Sequence, residues 1–357
     1  MMESEGQKQE TVTSKQRRKM VMKTAFLVFL VCGTILIVRQ QHTMAYRTVS
    51  GLAFGTAYNI TYQSDKDLKT DIGSVLAEVD GSLSPFNDTS VISRINRNED
   101  VKPDKMFMDV FTLAQKVSAE TDGAFDITVA PLVNAWGFGF KGGTEPTRHV
   151  TDSLRRLVGY KKLSYEVENG VGRIRKADPR MMLDCSAIAK GYGSDMVGRM
   201  LRSKGVENYM VEIGGEVVTA GVNAKRVPWR IGITKPDDDS LGVSRDVQAV
   251  LNVTETAIAT SGNYRNYYIK DGKKYAHTID PASGCPVQHS ILSSTVIAED
   301  CATADAYATA FMVMGMEKAQ DVLARHPEIK AYFIYADEKG DYAVWHSPGL
   351  ELTDERD

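Results

Sequence analysis

Apolar and polar positions alternate over residues 51–62 and predict a strand. Over 71–84 the apolar residues recur at three- and four-residue spacing and predict an amphipathic helix that stops near Pro85. Helical spacing returns at 106–121, 188–204, 303–313 and 316–325, and a short helix begins at 153–157. Strands are predicted at 163–168, 172–176, 209–213, 217–222, 229–234, 249–253 and 293–298, with a closing hairpin from 331–335 and 342–345. Residues 123–140, bounded by glycine and rich in aromatic and small side chains, predict a structured loop facing a cavity. Strands, hairpins and helices follow one another irregularly. The expected class is therefore α+β, with mixed or antiparallel sheets flanked by helices in a single intertwined domain, not a doubly wound parallel sheet.

The N-terminus is patterned differently. Lys15, Arg17, Arg18 and Lys19 lead into 20–38, which is apolar apart from Lys23, Thr24 and Thr34. The uninterrupted core, 25–38, is short for a straight span, but a tilted helix or thinned bilayer accommodates 20–38. Basic residues before the apolar run place the N-terminus in the cytoplasm and the rest outside. A cleaved signal peptide is the rival reading, although Thr43-Met44-Ala45 is a weak cleavage sequence and Val31 is too large for a lipoprotein site at Cys32. The expectation is an uncleaved, single-pass anchor in the inner (cytoplasmic) membrane. Residues 1–19 would be a cytoplasmic tail, 20–38 the anchor, 39–50 a tether, 51–347 an extracytoplasmic (periplasmic) domain and 348–357 a C-terminal tail.

Composition narrows this only slightly. A net charge of −3 over 357 residues gives no reason to expect a nucleic-acid partner. Beyond the apolar run only Cys185, Cys285 and Cys301 remain, without a Cys-x-x-Cys, so neither a disulfide framework nor a zinc site follows.

Candidate chemistry begins with Asp305 and Thr309. They stand four apart in a run of small apolar residues, and so on one face of a buried helix. Such an Asp needs a partner or a cation, and carboxylate with hydroxyl oxygen suits magnesium better than zinc. A backbone cap is the plainer alternative. In Asp184-Cys-Ser-Ala-Ile-Ala-Lys190-Gly191-Tyr-Gly193, the glycines fall inside a predicted helix. They point to close packing of a backbone or a flat ligand, not to a dinucleotide fingerprint. His277 precedes a tight turn at Asp280-Pro281-Ala-Ser-Gly284 and is a candidate general base or phosphate ligand, or simply a structural histidine. Gly123-Ala124-Phe125-Asp126, Glu212-Ile-Gly214-Gly215-Glu216 and Thr260-Ser261-Gly262-Asn263-Tyr264-Arg265 add glycines, amides and rings at element ends, where a large planar cofactor could dock.

These segments, with Gly55-Thr56-Ala57-Tyr58 and Ser84-Pro-Phe86-Asn87, resemble the FAD:protein FMN transferase (ApbE) family in order and spacing over roughly residues 51 to 347. The resemblance implies a magnesium-dependent transfer of FMN from FAD to a threonine of another protein, with release of AMP. It implies an FAD site lined by Phe54, Phe86, Ala124, Phe125, Asp126, Asp184, Lys190 and Ile279. Magnesium would be held by the Ala187 carbonyl, Asp305 and Thr309. Ala308 stands where some relatives carry a second Asp, and Lys190 where some carry Glu. His277 is the preferred base, with Asp280 and Asp184 as rivals. Implied acceptors are extracytoplasmic subunits of the sodium-pumping NADH:quinone oxidoreductase and of Rnf-type complexes. A FAD pyrophosphatase and a non-catalytic flavin-binding protein remain as alternative readings.

Overall fold

The computed structural model describes residues 14–141, 145–236, 247–263, 267–270, 273–288, 290–337, 339 and 341–353. Two compact units result, Met1–Ala45 and Tyr46–Asp357. Among its described residues the first carries one helix, α1 (Ser14–Thr43), whose stretch Gln16–Arg39 has mean hydropathy 2.4 over its apolar part. At 1.5 Å per residue those 24 residues extend about 36 Å, enough for a hydrocarbon core of about 30 Å. By length and composition the helix qualifies as a membrane anchor or as a signal sequence.

The second unit runs β1 (Tyr46–Ala53), β2 (Thr56–Gln63), α2 (Lys69–Leu83), α3 (Val91–Asn96), α4 (Lys105–Glu120), α5 (Ala130–Ala135), α6 (Arg148–Arg155), β3 (Leu163–Glu168), β4 (Val171–Lys176), α7 (Ala189–Ser203), β5 (Tyr209–Ile213) and β6 (Glu216–Ala220). It continues with β7 (Trp229–Thr234), β8 (Val247–Val253), β9 (Thr256–Gly262), β10 (Tyr267–Lys270), β11 (Lys273–Ala276), β12 (Ile291–Ala298), α8 (Cys301–Met314), α9 (Met316–Arg325), β13 (Lys330–Ala336) and β14 (Tyr342–His346). Eight strands form one sheet in the order β1-β2-β5-β6-β9-β12-β13-β14, and every neighbouring pair is antiparallel. Among the described residues three further two-stranded antiparallel pairs occur, β3–β4, β7–β8 and β10–β11. The fold class is α+β, as the sequence pattern predicts.

The period of two decides which residues face which layer. Tyr58, Ile60 and Tyr62 of β2 and Tyr209, Val211 and Ile213 of β5 pack with Ile72 and Leu76 of α2 and Val197 and Leu201 of α7. Ala257 and Ala259 of β9 and Phe333 of β13 face α8 and α4 on the same side. The intervening residues Val217, Ile258, Tyr332 and Ile334 point the other way, onto Ile233, Ala249 and Leu251 of the β7–β8 hairpin. The sheet is thus covered by helices on one face and partly by a hairpin on the other.

Several local expectations are corrected. The strand over 51–62 is two strands, because Phe54 and Gly55 both take positive φ (51° and 74°), which a two-residue turn of the I′ kind requires. The loop at 123–140 contains a 3-10 turn, Ile127–Val129, and α5. Helix α3, strand β9 and the β10–β11 hairpin carry too weak a period to be read. Strand β1 begins at Tyr46, inside the stretch assigned to a tether. Past residue 347 the chain stays on the domain: Thr353 exchanges backbone hydrogen bonds with Val250 (3.0 and 2.9 Å), while Leu350 and Leu352 join the layer under the hairpin.

Candidate active site

Two hairpin turns meet at one end of the sheet. Tyr58 pairs with Ile213, and the Gly214 N–H donates to the Ala57 carbonyl (3.0 Å), so Phe54-Gly55 and Gly214-Gly215 lie side by side. Both glycines of the second turn have positive φ, and the turn delivers Glu216 as the first residue of β6. Here a cleft of about 1410 Å³ opens, spacious beside the roughly 300–1,000 Å³ of an ordinary small-molecule site. Phe54, Phe86, Ala124, Phe125, Asp126, Asp184, Ala187, Lys190, His277, Ile279, Asp305 and Thr309 all line it. Of the Ser261 segment, Tyr264 and Arg265 fall outside the described residues.

One wall is aromatic. Phe54 reaches in from its strained turn, Phe125 is buried, and Phe86 is 67% exposed at the rim, edge-on to Phe140. Asp126 beside them is held by the protein: its Oδ1 accepts from the Thr128 N–H and hydroxyl (2.8 and 2.6 Å), and its Oδ2 from the Tyr160 N–H (2.7 Å). Burial nevertheless raises its pKa, with those bonds opposing. Asp184 is likewise buried and shifted upward by desolvation, its Oδ1 accepting from the Ser186 N–H (2.8 Å).

Another part of the cleft is built where α7 meets α8. A Cβ on Gly191 would lie 2.3 Å from the Cys301 carbonyl oxygen, so the glycine permits direct backbone contact between the helices; a Cβ on Gly193 would meet the Phe54 ring at 2.7 Å. Of the two expected reasons for helix glycines, a close backbone is met at Gly191, while Gly193 packs on a ring of the protein itself. Asp195, one turn further, accepts from the Cys301 and Ala302 N–H groups (2.9 Å each), and Asp300 caps α8 through the Thr303 N–H (2.8 Å). Thr309 shares a hydrogen bond with Ser261 (3.1 Å).

Asp305, 2% exposed, sits on the cleft floor. Its Oδ2 accepts from the Gly191 N–H (3.1 Å) and its Oδ1 lies 3.9 Å from Lys190 Nζ. Lys190 donates to Glu216 Oε1. Burial works against the Lys190 ammonium, but Asp305 and Glu216 together hold its pKa above the ordinary lysine range. Burial raises Asp305, against the pull of Lys190, and lifts Glu216 to about 7. Glu216 was missed in the sequence, where it reads only as the residue after a Gly-Gly turn. Its Oε2 is buried without a hydrogen-bond partner among the described residues.

The donor set fits magnesium. The Gly191 N–H, four residues beyond Ala187, bonds Asp305, so the helical hydrogen bond that would occupy the Ala187 carbonyl is not made. Among the described residues no three His, Cys, Asp or Glu side chains converge; the carboxylate of Asp305 and the hydroxyl of Thr309 are hard oxygen donors, the kind magnesium takes.

His277 lines the cleft with its ring edge-on to Phe138 (6.4 Å between centroids). Its rival Asp280 does not line it. Asp280 accepts from the Ala282 and Ser283 N–H groups (2.8 and 3.2 Å) and closes its own turn, which the Trp136 indole clamps through the Gly284 carbonyl (2.8 Å).

Known proteins resemble this chain over most of its length. Residues 54–333 match the ApbE family. A FAD:protein FMN transferase of Vibrio cholerae serotype O1 is 40% identical over 285 residues, 77% of this chain and 83% of that protein. The enzyme of the same description from Escherichia coli K12 is 33% identical over 340 residues, 92% and 95% of the two chains. The solved structure of the flavin transferase ApbE from Vibrio cholerae superposes with a TM-score of 0.77 at 37% identity, covering 86% of this chain and 98% of that one.

Proposed function

The chain belongs to the ApbE family, and from that premise we propose that it is a magnesium-dependent FAD:protein FMN transferase. It would move FMN from FAD onto a threonine hydroxyl of an acceptor protein and release AMP. The observation that carries the reading is a cleft whose lining combines the rings of Phe54, Phe86 and Phe125 with the buried carboxylate of Asp305 and the hydroxyl of Thr309. Phe54, Phe86, Ala124, Phe125 and Ile279 are suited to the flat and apolar parts of FAD, with Asp126, Asp184 and Lys190 beside them. The Ala187 carbonyl, Asp305 and Thr309 would hold magnesium, which when bound neutralises the pyrophosphate oxygens.

The remaining work falls to the chain itself. Asp126, bonded on both oxygens, fixes the loop that carries Ala124 and Phe125. The α7–α8 contact through Gly191 fixes Asp305 relative to Ala187. His277 accepts the proton of the acceptor threonine as its oxygen attacks the flavin-side phosphorus; the new P–O bond forms in line while the bond to AMP breaks. His277 is preferred over Asp280 because it lines the cleft and Asp280 is engaged in its turn.

The helix Gln16–Arg39, with Lys15, Arg17, Arg18 and Lys19 ahead of its apolar run, supports an uncleaved single-pass anchor in the cytoplasmic membrane and a catalytic domain on the outer side. Acceptors would then be extracytoplasmic subunits of the sodium-pumping NADH:quinone oxidoreductase or of Rnf-type complexes. The deciding experiment incubates full-length protein with FAD, magnesium and a purified acceptor subunit, followed by mass spectrometry of the acceptor. A covalent FMN on threonine, absent with Asp305→Ala, is expected. Equal AMP release with and without acceptor would instead make the protein a pyrophosphatase.

A further inference from the structure

Three charged side chains share the cleft floor: Lys190 from the first turn of α7, Asp305 from α8 and Glu216 from the start of β6. Two carboxylates face one ammonium, so Lys190 cannot neutralise both. It hydrogen-bonds Glu216 Oε1 and stands 3.9 Å from Asp305 Oδ1, within attraction of each. Glu216 is 2% exposed, and its second oxygen has no hydrogen-bond partner among the described residues. A buried carboxylate without a counter-charge is strongly unfavourable, and a cation site built on a lone buried Asp would face that penalty whenever the metal is absent.

From this juxtaposition we propose that Lys190, already bonded to Glu216, is a tethered counter-cation that also offsets part of the charge of Asp305 in the metal-free protein, and that it is drawn wholly onto Glu216 when a divalent cation binds. The inference rests on reading Asp305 as a magnesium ligand. An arriving divalent cation repels an ammonium 3.9 Å from the same carboxylate. The ammonium carries three donors, and Glu216 offers both the oxygen already bonded and an unfilled one, so the shift needs only a small movement of the lysine tip. Lys190 thus competes with magnesium, and Glu216 is a positioning residue that relieves the competition.

The test titrates magnesium, without FAD, into detergent-solubilised full-length protein and follows both binding heat and the unfolding midpoint. Lys190→Met should bind magnesium about tenfold more tightly than wild type and melt lower in chelator, with magnesium restoring the midpoint. Lys190→Gln carries the same expectation if the Met variant does not fold. Glu216→Gln should weaken magnesium binding severalfold in the presence of Lys190 and have little effect in the Lys190→Met background. Unchanged or weaker binding by Lys190→Met overturns the proposal. Equal weakening by Glu216→Gln in both backgrounds also overturns it, since Glu216 would then act on the metal directly. Asp305→Asn separates the two readings: if it abolishes binding while the lysine and glutamate variants behave as wild type, only this proposal fails, and if it binds as wild type, the metal assignment at Asp305 fails and takes the proposal with it.

Discussion

Alanine at Gly191 and alanine at Gly193 are the same chemical change two residues apart on α7, yet the structure expects opposite results. At Gly191 the new Cβ would lie 2.3 Å from the Cys301 carbonyl oxygen, 2.7 Å from its carbon and 2.9 Å from the Ala302 nitrogen. All three are backbone atoms of the α8 N-terminus, held by Asp195 and Asp300, so the helices must part. Overpacking of this kind costs about 1–3 kcal/mol, and separation of a rigid backbone belongs at or above the upper end. Replacing a helical glycine returns up to about 1 kcal/mol. A net loss of about 2 kcal/mol remains. With an unfolding entropy near 2.1 cal/mol/K per residue, a domain of roughly 300 residues should melt about 3 °C lower. At Gly193 the Cβ meets the Phe54 ring at 2.7 and 3.2 Å, and a side chain can rotate away. Stability should hold or rise slightly, while the displaced ring narrows the cleft and weakens FAD binding by about 1 kcal/mol, the scale of one aromatic contact. Calorimetric melting of the two full-length variants, with a flavin-fluorescence titration, measures both effects. Gly191→Ala melting at or above wild type, or Gly193→Ala falling as far as Gly191→Ala, would refute the packing argument.

Three further outcomes are expected. His277→Ala should lower the single-turnover rate at saturating FAD by about 10²-fold or more with little change in FAD affinity, and should lose the acid limb that an imidazole base gives near pH 6–7; an acid limb that survives the substitution moves the base elsewhere. Asp195 has its pKa raised from 3.8 to about 7, chiefly by burial, so its contribution to stability is full below about 4 and is lost as pH rises through about 7. Asp195→Asn should therefore gain stability relative to wild type between pH 5 and 8 in denaturant titrations, and parallel curves would dismiss the assignment. If the N-terminal helix is an anchor, the mature protein begins at or near Met1 and survives a carbonate wash of the membranes. A soluble product starting near Tyr46 would make the helix a signal sequence.

The sequence by itself determined the elements whose burial repeats along the chain. Helix α4, the β3–β4 and β13–β14 hairpins and the apolar N-terminal helix are all legible because neighbours in sequence share one environment. The alternation through β1 and β2 hid the turn at Phe54-Gly55, since a positive φ at a phenylalanine leaves no compositional mark. Strand β9 escaped because its small residues Ala257, Ala259 and Gly262 fit a crowded position under α8, which only the packed sheet creates.

At the site the motif residues were visible as types, but their partnerships were not. Gly191 and Asp305 are 114 residues apart and Lys190 and Glu216 are 26 apart; both contacts depend on α7 lying against α8 above the end of β6. The tertiary structure alone decided that Lys190 shares its charge between two carboxylates, that Asp126 is tied to Tyr160 as well as to its own loop while Asp280 closes its own turn, and that Glu216 belongs to the cleft. Hydrogen bonding and desolvation depend on what stands a few ångströms away in space. Periodicity records only which face a residue turns, not what meets it there.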